Sequence, residues 1–303
     1  MFAELTILGN NSAAPTKTRN QSGQHFKLDQ DQILFDCGEG TQKRLITNRI
    51  NYQKISHILI SHLHGDHFLG LMGLLNTMAL NGRKSKLTIV APTGLKRFYG
   101  VYVETSSAHQ TFDVEFIELE EESTGTIDTP RLNITYIPVS HRISCFAYIV
   151  EQAVALRHID IESCKKHQIP HHAFADLQNG LDYMDENGNH IKNDVLTLPP
   201  SKPICYGYIT DTIYRPDLAP AFARCHTVYH EATYLHNLID RAIKTKHSTA
   251  EQAGMFAQKA SVNQLLIGHF SSRYHNTDDH LEESRAQFRE SFIAKEGETY
   301  RIY

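Results

Sequence analysis

Ser61–His67 reads SHLHGDH and follows directly on the apolar run Ile58–Ile60. It places four metal-binding side chains, His62, His64, Asp66 and His67, within seven residues. Neutral imidazole suits zinc and its neighbours in the transition series, and a carboxylate among imidazoles can bridge a second ion or orient a water. His62 and His64 alternate, so they project together from extended chain, whereas Asp66 and His67 fall where the chain turns toward a helix. Four donors so spaced do not fit comfortably around one tetrahedral ion, and the spacing predicts two neighbouring ions. The stretch lies between a buried-strand pattern and a helical pattern, at the strand end where open α/β sheets place ligands. That position sets it apart from the solvated histidines to be expected in a chain with 19 of them.

Outward from this loop, LTILG, GQHFKL, QILFD and KISHILIS read as strands separated by polar turns. Beyond it, Leu71, Leu74, Leu75 and Met78 recur at helical spacing up to the stop signal Asn81-Gly82. A strand KLTIVAP, a helix from about Thr93 to Val103, and strands FDVEFIEL, LNITYIPVS and FAYIV follow. Residues 151–200 break the pattern and read as an inserted arm, with a helix ended by Pro170 and a hairpin around Asn187-Gly188. Regular order resumes with ICYGYITDT, a helix Leu218 to Arg224, TVYHEAT, a helix from about Ser248 to Ala260, QLLIGHF and a closing helix near His280 to Phe292. Alternating strands and helices predict an α/β (α+β) fold of sheets covered by helices.

With 41% hydrophobic and 21% charged residues, the 303-residue chain reads as one ordinary globular protein with a substantial core. No apolar run is long enough to span a bilayer, and MFAELTILGN is strand-like and not a signal core, so a cytoplasmic protein without membrane attachment is expected. Five widely spaced cysteines without a CxxC pair argue against a disulfide framework or a zinc ribbon and read as reduced packing thiols. A net charge of -4 leaves no global electrostatic footprint for nucleic acid, so any RNA site must be local.

Further ligand-type residues fall at strand ends: His141 after ITYIPVS, Asp211 after CYGYIT, His230 and Glu231 after TVY, and His269 after LLIG. Singly, each has an ordinary explanation as a turn, a cap or a core histidine. Their shared position changes that balance. In KHSTAEQAG, Ser248 and Glu251 have capping-box spacing and predict a helix start directly after His247. An anion is favoured there, and His247 would stand beside it as a proton donor to a phosphate ester.

Over nearly its whole length the chain resembles the metallo-β-lactamase superfamily and, within it, the short form of ribonuclease Z. The resemblance is carried by PTKTRN (Pro15 to Asn20), FDCGEGTQ (Phe35 to Gln42), SHLHGDH, His141, Asp211 of ITDT, HEAT (His230 to Thr233), HST (His247 to Thr249) and GHFSSRY (Gly268 to Tyr274). It implies a four-layer αββα sandwich, residues 1–303 as a single domain carrying the arm, and two zinc ions, with manganese as a substitute. One ion would take His62, His64 and His141, the other Asp66, His67 and His269, and Asp211 would bridge them. Asp36 would orient a ligand imidazole, and His230 would back the site in the same supporting way. Asp66 would orient the nucleophile, and Glu231 would orient His247 toward the leaving ribose oxygen.

The implied activity is removal of 3′ trailers from precursor tRNA by a homodimer whose arms hold the substrate. Lys17, Arg19 and Arg273 are the candidate RNA contacts. The arm departs from the family: it lacks the usual Gly-Pro pair and is not strongly basic. That departure keeps open another metallo-hydrolase of this fold, a small-molecule phosphodiesterase or an arylsulfatase-like enzyme.

Overall fold

The computed structural model describes residues 2–108, 111–153, 156–185, 188–200 and 202–303. A seven-stranded sheet runs from edge to edge as Thr299–Ile302, Ala3–Gly9, Gly23–Leu28, Asp31–Phe35, His57–Leu59, Leu87–Pro92 and Val114–Leu119. Its first four strands are antiparallel and the rest run parallel. The second seven-stranded sheet runs Ser291–Ile293, Gln264–Gly268, Thr227–Glu231, Cys205–Ile209, Cys145–Gln152, Leu132–Val139 and Gly125–Asp128.

Strand alternation decides how these sheets meet. On Cys205–Ile209, Tyr206 and Tyr208 face inward, where Tyr206 stacks on Phe26 at 5.8 Å and Tyr208 lies 5.1 Å from Phe35. Cys205 and Ile209 face outward into a cluster with Phe256, Ala257 and Ala260 of the helix Ala250–Ala260. On the other side, the helix Leu71–Leu80 lays Leu71, Leu74, Leu75 and Met78 against Leu34, Ile58 and Ile89. Helix, sheet, sheet, helix is therefore the layer order, an αββα sandwich. Its inner seam is aromatic and also polar: the Tyr148 hydroxyl donates to the Ile60 carbonyl at 2.8 Å, and the Tyr206 hydroxyl donates to Gln24. Both of these buried phenols thus meet a partner on the facing sheet, since a buried hydroxyl needs one.

Three sequence expectations need correction. The closing helix spans Asp278–Gln287, and Phe292 belongs to the strand Ser291–Ile293, which pairs in parallel with Gln264–Gly268. The capping box is formed by Thr249 and Gln252 instead of Ser248 and Glu251. Ser248 is buried and its hydroxyl donates to the Thr212 carbonyl at 2.8 Å, so it is committed elsewhere and the helix begins a residue later. The helix expected to run up to Pro170 is only Ile161–Lys166, closed by Gln168 at a φ of 54°. The helix Thr41–Thr47 and the strands Gly125–Asp128 and Thr299–Ile302 had no strong sequence pattern.

The chain divides into two compact units, one of Met1–Ile127, Asn133–Glu151 and Ile204–Tyr303, the other of Asp128–Leu132 and Gln152–Pro203. The smaller unit contains the arm and has its own core of Cys164, Ile169, Ala173, Leu177 and Leu196. Its hairpin pairs Tyr183–Met184 with His190–Ile191, and Gly188 takes the left-handed φ of 81° that the turn requires. Asn187 lies outside the described residues. All five cysteines are free and buried. Among the described residues, no helix is long and apolar enough to cross a membrane.

His25, on Gly23–Leu28, is buried and bonded to Gln32 at 3.0 Å. Burial is the main cause that pushes its pKa down from 6.5 to about 4. The folded protein therefore holds this imidazole neutral where the unfolded chain would protonate it. Stability falls as pH drops below 6.5 and levels off near 4, by up to roughly 3 kcal/mol. Urea unfolding of wild type and His25→Asn at pH 7 and pH 4.5 is expected to show a smaller acid loss in the variant. Equal losses would remove His25 as the cause.

Candidate metal centre

The parallel strands of both sheets end at one place, and the loops leaving them carry the ligand-type residues. Asp36 follows Asp31–Phe35, the metal loop follows His57–Leu59, Asp211 follows Cys205–Ile209 and His269 follows Gln264–Gly268. His62 and His64 lie on extended chain, and Asp66 and His67 lie in the short helix Gly65–Phe68. Gly38 and Gly70 let the two loops of the first sheet close on each other. A Cβ on Gly38 would meet the Asp66 carbonyl, and the Gly70 amide donates to the Cys37 carbonyl at 2.9 Å. Asp36, Asp211 and His269 all take left-handed φ, at 52°, 46° and 58°. For residues with a Cβ this costs on the order of 1 kcal/mol each, a strain characteristic of functional sites.

Three overlapping groups of donor atoms converge. His62, His64, His141 and Asp211 form one, Asp66, His67 and His269 a second, and Asp211, His247 and His269 a third, with the donor atoms of each group within 4.8 Å of one another. Asp211 lies between the first two: its Oδ2 is 3.6 Å from His62 Nε2 and 3.7 Å from His141 Nε2, while its Oδ1 is 3.0 Å from His269 Nε2 and 3.5 Å from His67 Nε2. Such separations fit a metal, because ligands at ~2.0–2.1 Å around a tetrahedral zinc stand about 3.3 Å apart.

The far nitrogens strengthen that fit. His67 Nδ1 donates to Asp36 at 2.7 Å, His141 Nδ1 to the Lys246 carbonyl at 3.0 Å, His269 Nδ1 to Thr233 Oγ1 at 3.0 Å and His62 Nδ1 to Ser61 Oγ at 3.0 Å. Each bond fixes a tautomer that leaves Nε2 free toward the centre. Charge points the same way. Burial opposes a charge on His67, yet Asp211, Asp66 and Asp36 together raise its pKa well above the usual value. Buried carboxylates that hold a proton so firmly make a site for cations, and the donor set suits divalent metal.

Beside the second group, His247 Nδ1 donates to Glu231 at 3.0 Å. Glu231 is fully buried and also accepts the Thr212 amide at 2.6 Å and the Thr233 hydroxyl at 2.5 Å. Burial alone would lower the His247 pKa, but Glu231 outweighs it and the value is pushed up to about 9. The buried Glu231 carboxylate thus favours the protonated imidazole and holds it at one nitrogen. His247 lines a cavity of about 320 Å³ together with His64, Asp66 and Asp211.

The other sequence candidates are placed less centrally. His230 does not join the cluster: alternation along Thr227–Glu231 turns it away from the side of Glu231, so that its ring lies 5.1 Å from Phe256 and its Nδ1 bonds the Glu231 carbonyl. Lys17 is exposed, Arg19 Nη2 donates to the Tyr274 carbonyl, and the Arg273 guanidinium lies 5.1 Å over the Tyr234 ring. Sequence reasoning missed Tyr208, whose hydroxyl crosses from the second sheet to donate to Asp36 at 2.7 Å, and Thr233, which joins His269 to Glu231. The inward parity of Tyr208 and the HEAT motif were the signals available.

A four-layer sandwich with this His and Asp cluster at its strand ends defines a metallo-β-lactamase-fold protein that binds divalent metal. Human tRNase Z, short form, superposes with a TM-score of 0.72 at 23% identity, covering 99% of each chain. The metallo-β-lactamase fold protein YhfI from Bacillus subtilis gives 0.71 at 16% identity, covering 99% of this chain and 100% of its own. A family profile described as "Anti-Pycsar protein Apyc1" matches residues 3–145, a span that ends before Asp211, Glu231, His247 and His269. Ribonuclease Z of Bacteroides fragilis is 36% identical over 97% of this chain and 97% of its own. Ribonuclease Z of Cytophaga hutchinsonii is 38% identical over 100% of this chain and 97% of its own. The chain belongs to the ribonuclease Z family.

Proposed function

We propose that this protein is a zinc-dependent endoribonuclease that removes 3′ trailers from precursor tRNA. It cuts after the discriminator nucleotide, leaving a 3′ hydroxyl on the tRNA and a 5′ phosphate on the trailer. The observation that supports this best is the convergence of donor groups around Asp211 with His247, bonded to the buried Glu231, lining the same cavity. His62, His64 and His141 would hold one zinc ion and Asp66, His67 and His269 the other, with Asp211 shared and manganese able to substitute. When bound, the two ions supply Lewis acidity at the scissile phosphate.

The chain's own groups do the rest. Asp66, held by the Ala13 amide at 2.8 Å, orients the attacking water. His247 donates its proton from the ring nitrogen not bonded to Glu231, and the leaving 3′ oxygen receives it. Glu231 keeps the imidazolium in place, as a buried carboxylate does for a catalytic histidine elsewhere. Asp36 fixes the His67 ring. Residues 151–200 act as the substrate-holding arm, and the working form is a cytoplasmic homodimer, which a solution mass measurement tests.

The deciding experiment incubates purified protein with precursor tRNA carrying a 3′ trailer and maps both new ends, with metal content measured on the same sample. One cut after the discriminator nucleotide and about two zinc ions per chain are expected. Hydrolysis of bis(p-nitrophenyl) phosphate or a sulfate ester with precursor tRNA left intact overturns the ribonuclease assignment in favour of a small-ester hydrolase.

A further inference from the structure

The cations around the catalytic cavity differ in what already occupies them. Arg215 is neutralised by Asp217 through bonds of 2.6–3.1 Å. Arg19 is turned back onto the Tyr274 carbonyl, and Arg273 Nε donates to Ser271 Oγ at 3.1 Å. Lys246 Nζ donates to the His141 carbonyl at 2.8 Å, a neutral acceptor that leaves its charge in place. Arg142 is exposed and, among the described residues, makes no hydrogen bond or ion pair. Its position is equally distinctive. It lines the catalytic cavity and also a second one of about 530 Å³, whose walls include His141, Lys246, Glu121 and Glu122.

We propose that Arg142, with Lys246 beside it, forms a subsite for the backbone phosphate flanking the scissile one in the substrate RNA, an inference that rests on the ribonuclease assignment. A guanidinium with no existing partner can give both arms of its fork to a phosphate without breaking another ion pair. The neighbouring ammonium raises the local potential. Glu121 and Glu122 in the same groove repel any further phosphate, so the subsite takes one and the groove is not a continuous track.

The test compares wild type, Arg142→Gln and Arg142→Lys on precursor tRNA and on bis(p-nitrophenyl) phosphate, which has no flanking phosphate, with kcat/KM on RNA followed across KCl concentrations. For the Gln variant, kcat/KM on RNA is expected to fall about tenfold. Its loss on the small diester should be at least fivefold smaller, and its salt slope should be shallower by about 0.7, one single-strand phosphate. Arg142→Lys should recover the slope and part of the rate. Equal losses on both substrates, or an unchanged slope, overturn the subsite. Wild type that leaves precursor tRNA uncut overturns the ribonuclease assignment and the subsite with it.

Discussion

Asp211→Ala is expected to leave the sandwich folded, to hold less than half the wild-type metal and to cut precursor tRNA at least about 10³-fold more slowly, a loss of about 4 kcal/mol. The reason is positional. Both carboxylate oxygens are in use, Oδ2 toward His62 and His141 and Oδ1 toward His269 and His67, so one truncation weakens both donor groups. It also takes a buried negative charge from among four imidazoles that share it. Burial favours a protonated Asp211, yet His269, His67, His62 and His247 hold its pKa well below the carboxylate range, so the carboxylate stays charged among them. Alanine at a φ of 46° adds strain of roughly 1 kcal/mol, which Asp211→Asn avoids because Asn tolerates the left-handed region. The Asn variant should therefore match metal-stripped wild type in thermal stability and still lose metal. Full metal content with cleavage within tenfold of wild type would contradict the shared role.

Which of these features could be read in one dimension follows from how local each is. SHLHGDH was legible because its four donors lie within seven residues and strand and helix periodicities flank them. His141, Asp211 and His269 were legible as strand-end residues, since parallel strands bring their carboxyl ends to one edge of a sheet. His230, expected as a supporting residue, lies off the cluster because alternate residues of Thr227–Glu231 face opposite ways, and its tie to the site is the Nδ1 bond to the Glu231 carbonyl. The capping box slipped by one residue because both Ser248 and Thr249 can cap, and the competitor for the Ser248 hydroxyl, the Thr212 carbonyl, lies 36 residues away in sequence. Tyr208 on Asp36 and the Thr212 amide on Glu231 were out of reach for the same reason. The first depends on which faces of the two sheets meet and the second on which strands are neighbours within one sheet, and no spacing within a strand encodes either.

His247→Ala should behave differently from Asp211→Ala: metal is retained, kcat on precursor tRNA falls about 10²- to 10⁴-fold, and KM changes little. His247 converges with Asp211 and His269 in a third group of donors, but its Nδ1 is committed to Glu231 at 3.0 Å, so truncation is expected to remove a proton donor and leave the seven assigned metal ligands in place. Glu231→Gln keeps the ring but removes the carboxylate that, against burial, pushes His247 up to about 9, so a smaller loss with the same signature is expected. Because the two residues act on one proton, the double variant should be little worse than His247→Ala alone, in contrast to the multiplied losses of independent sites. The leaving group provides the sharper check. A ribose 3′ oxygen departs as a strongly basic alkoxide unless protonated, whereas p-nitrophenolate needs no proton. His247→Ala should therefore hydrolyse bis(p-nitrophenyl) phosphate within about tenfold of wild type while failing on precursor tRNA. Equal losses on both substrates, or metal lost in parallel with activity, would place His247 among the groups that build the metal centre and leave the leaving-group proton without a donor.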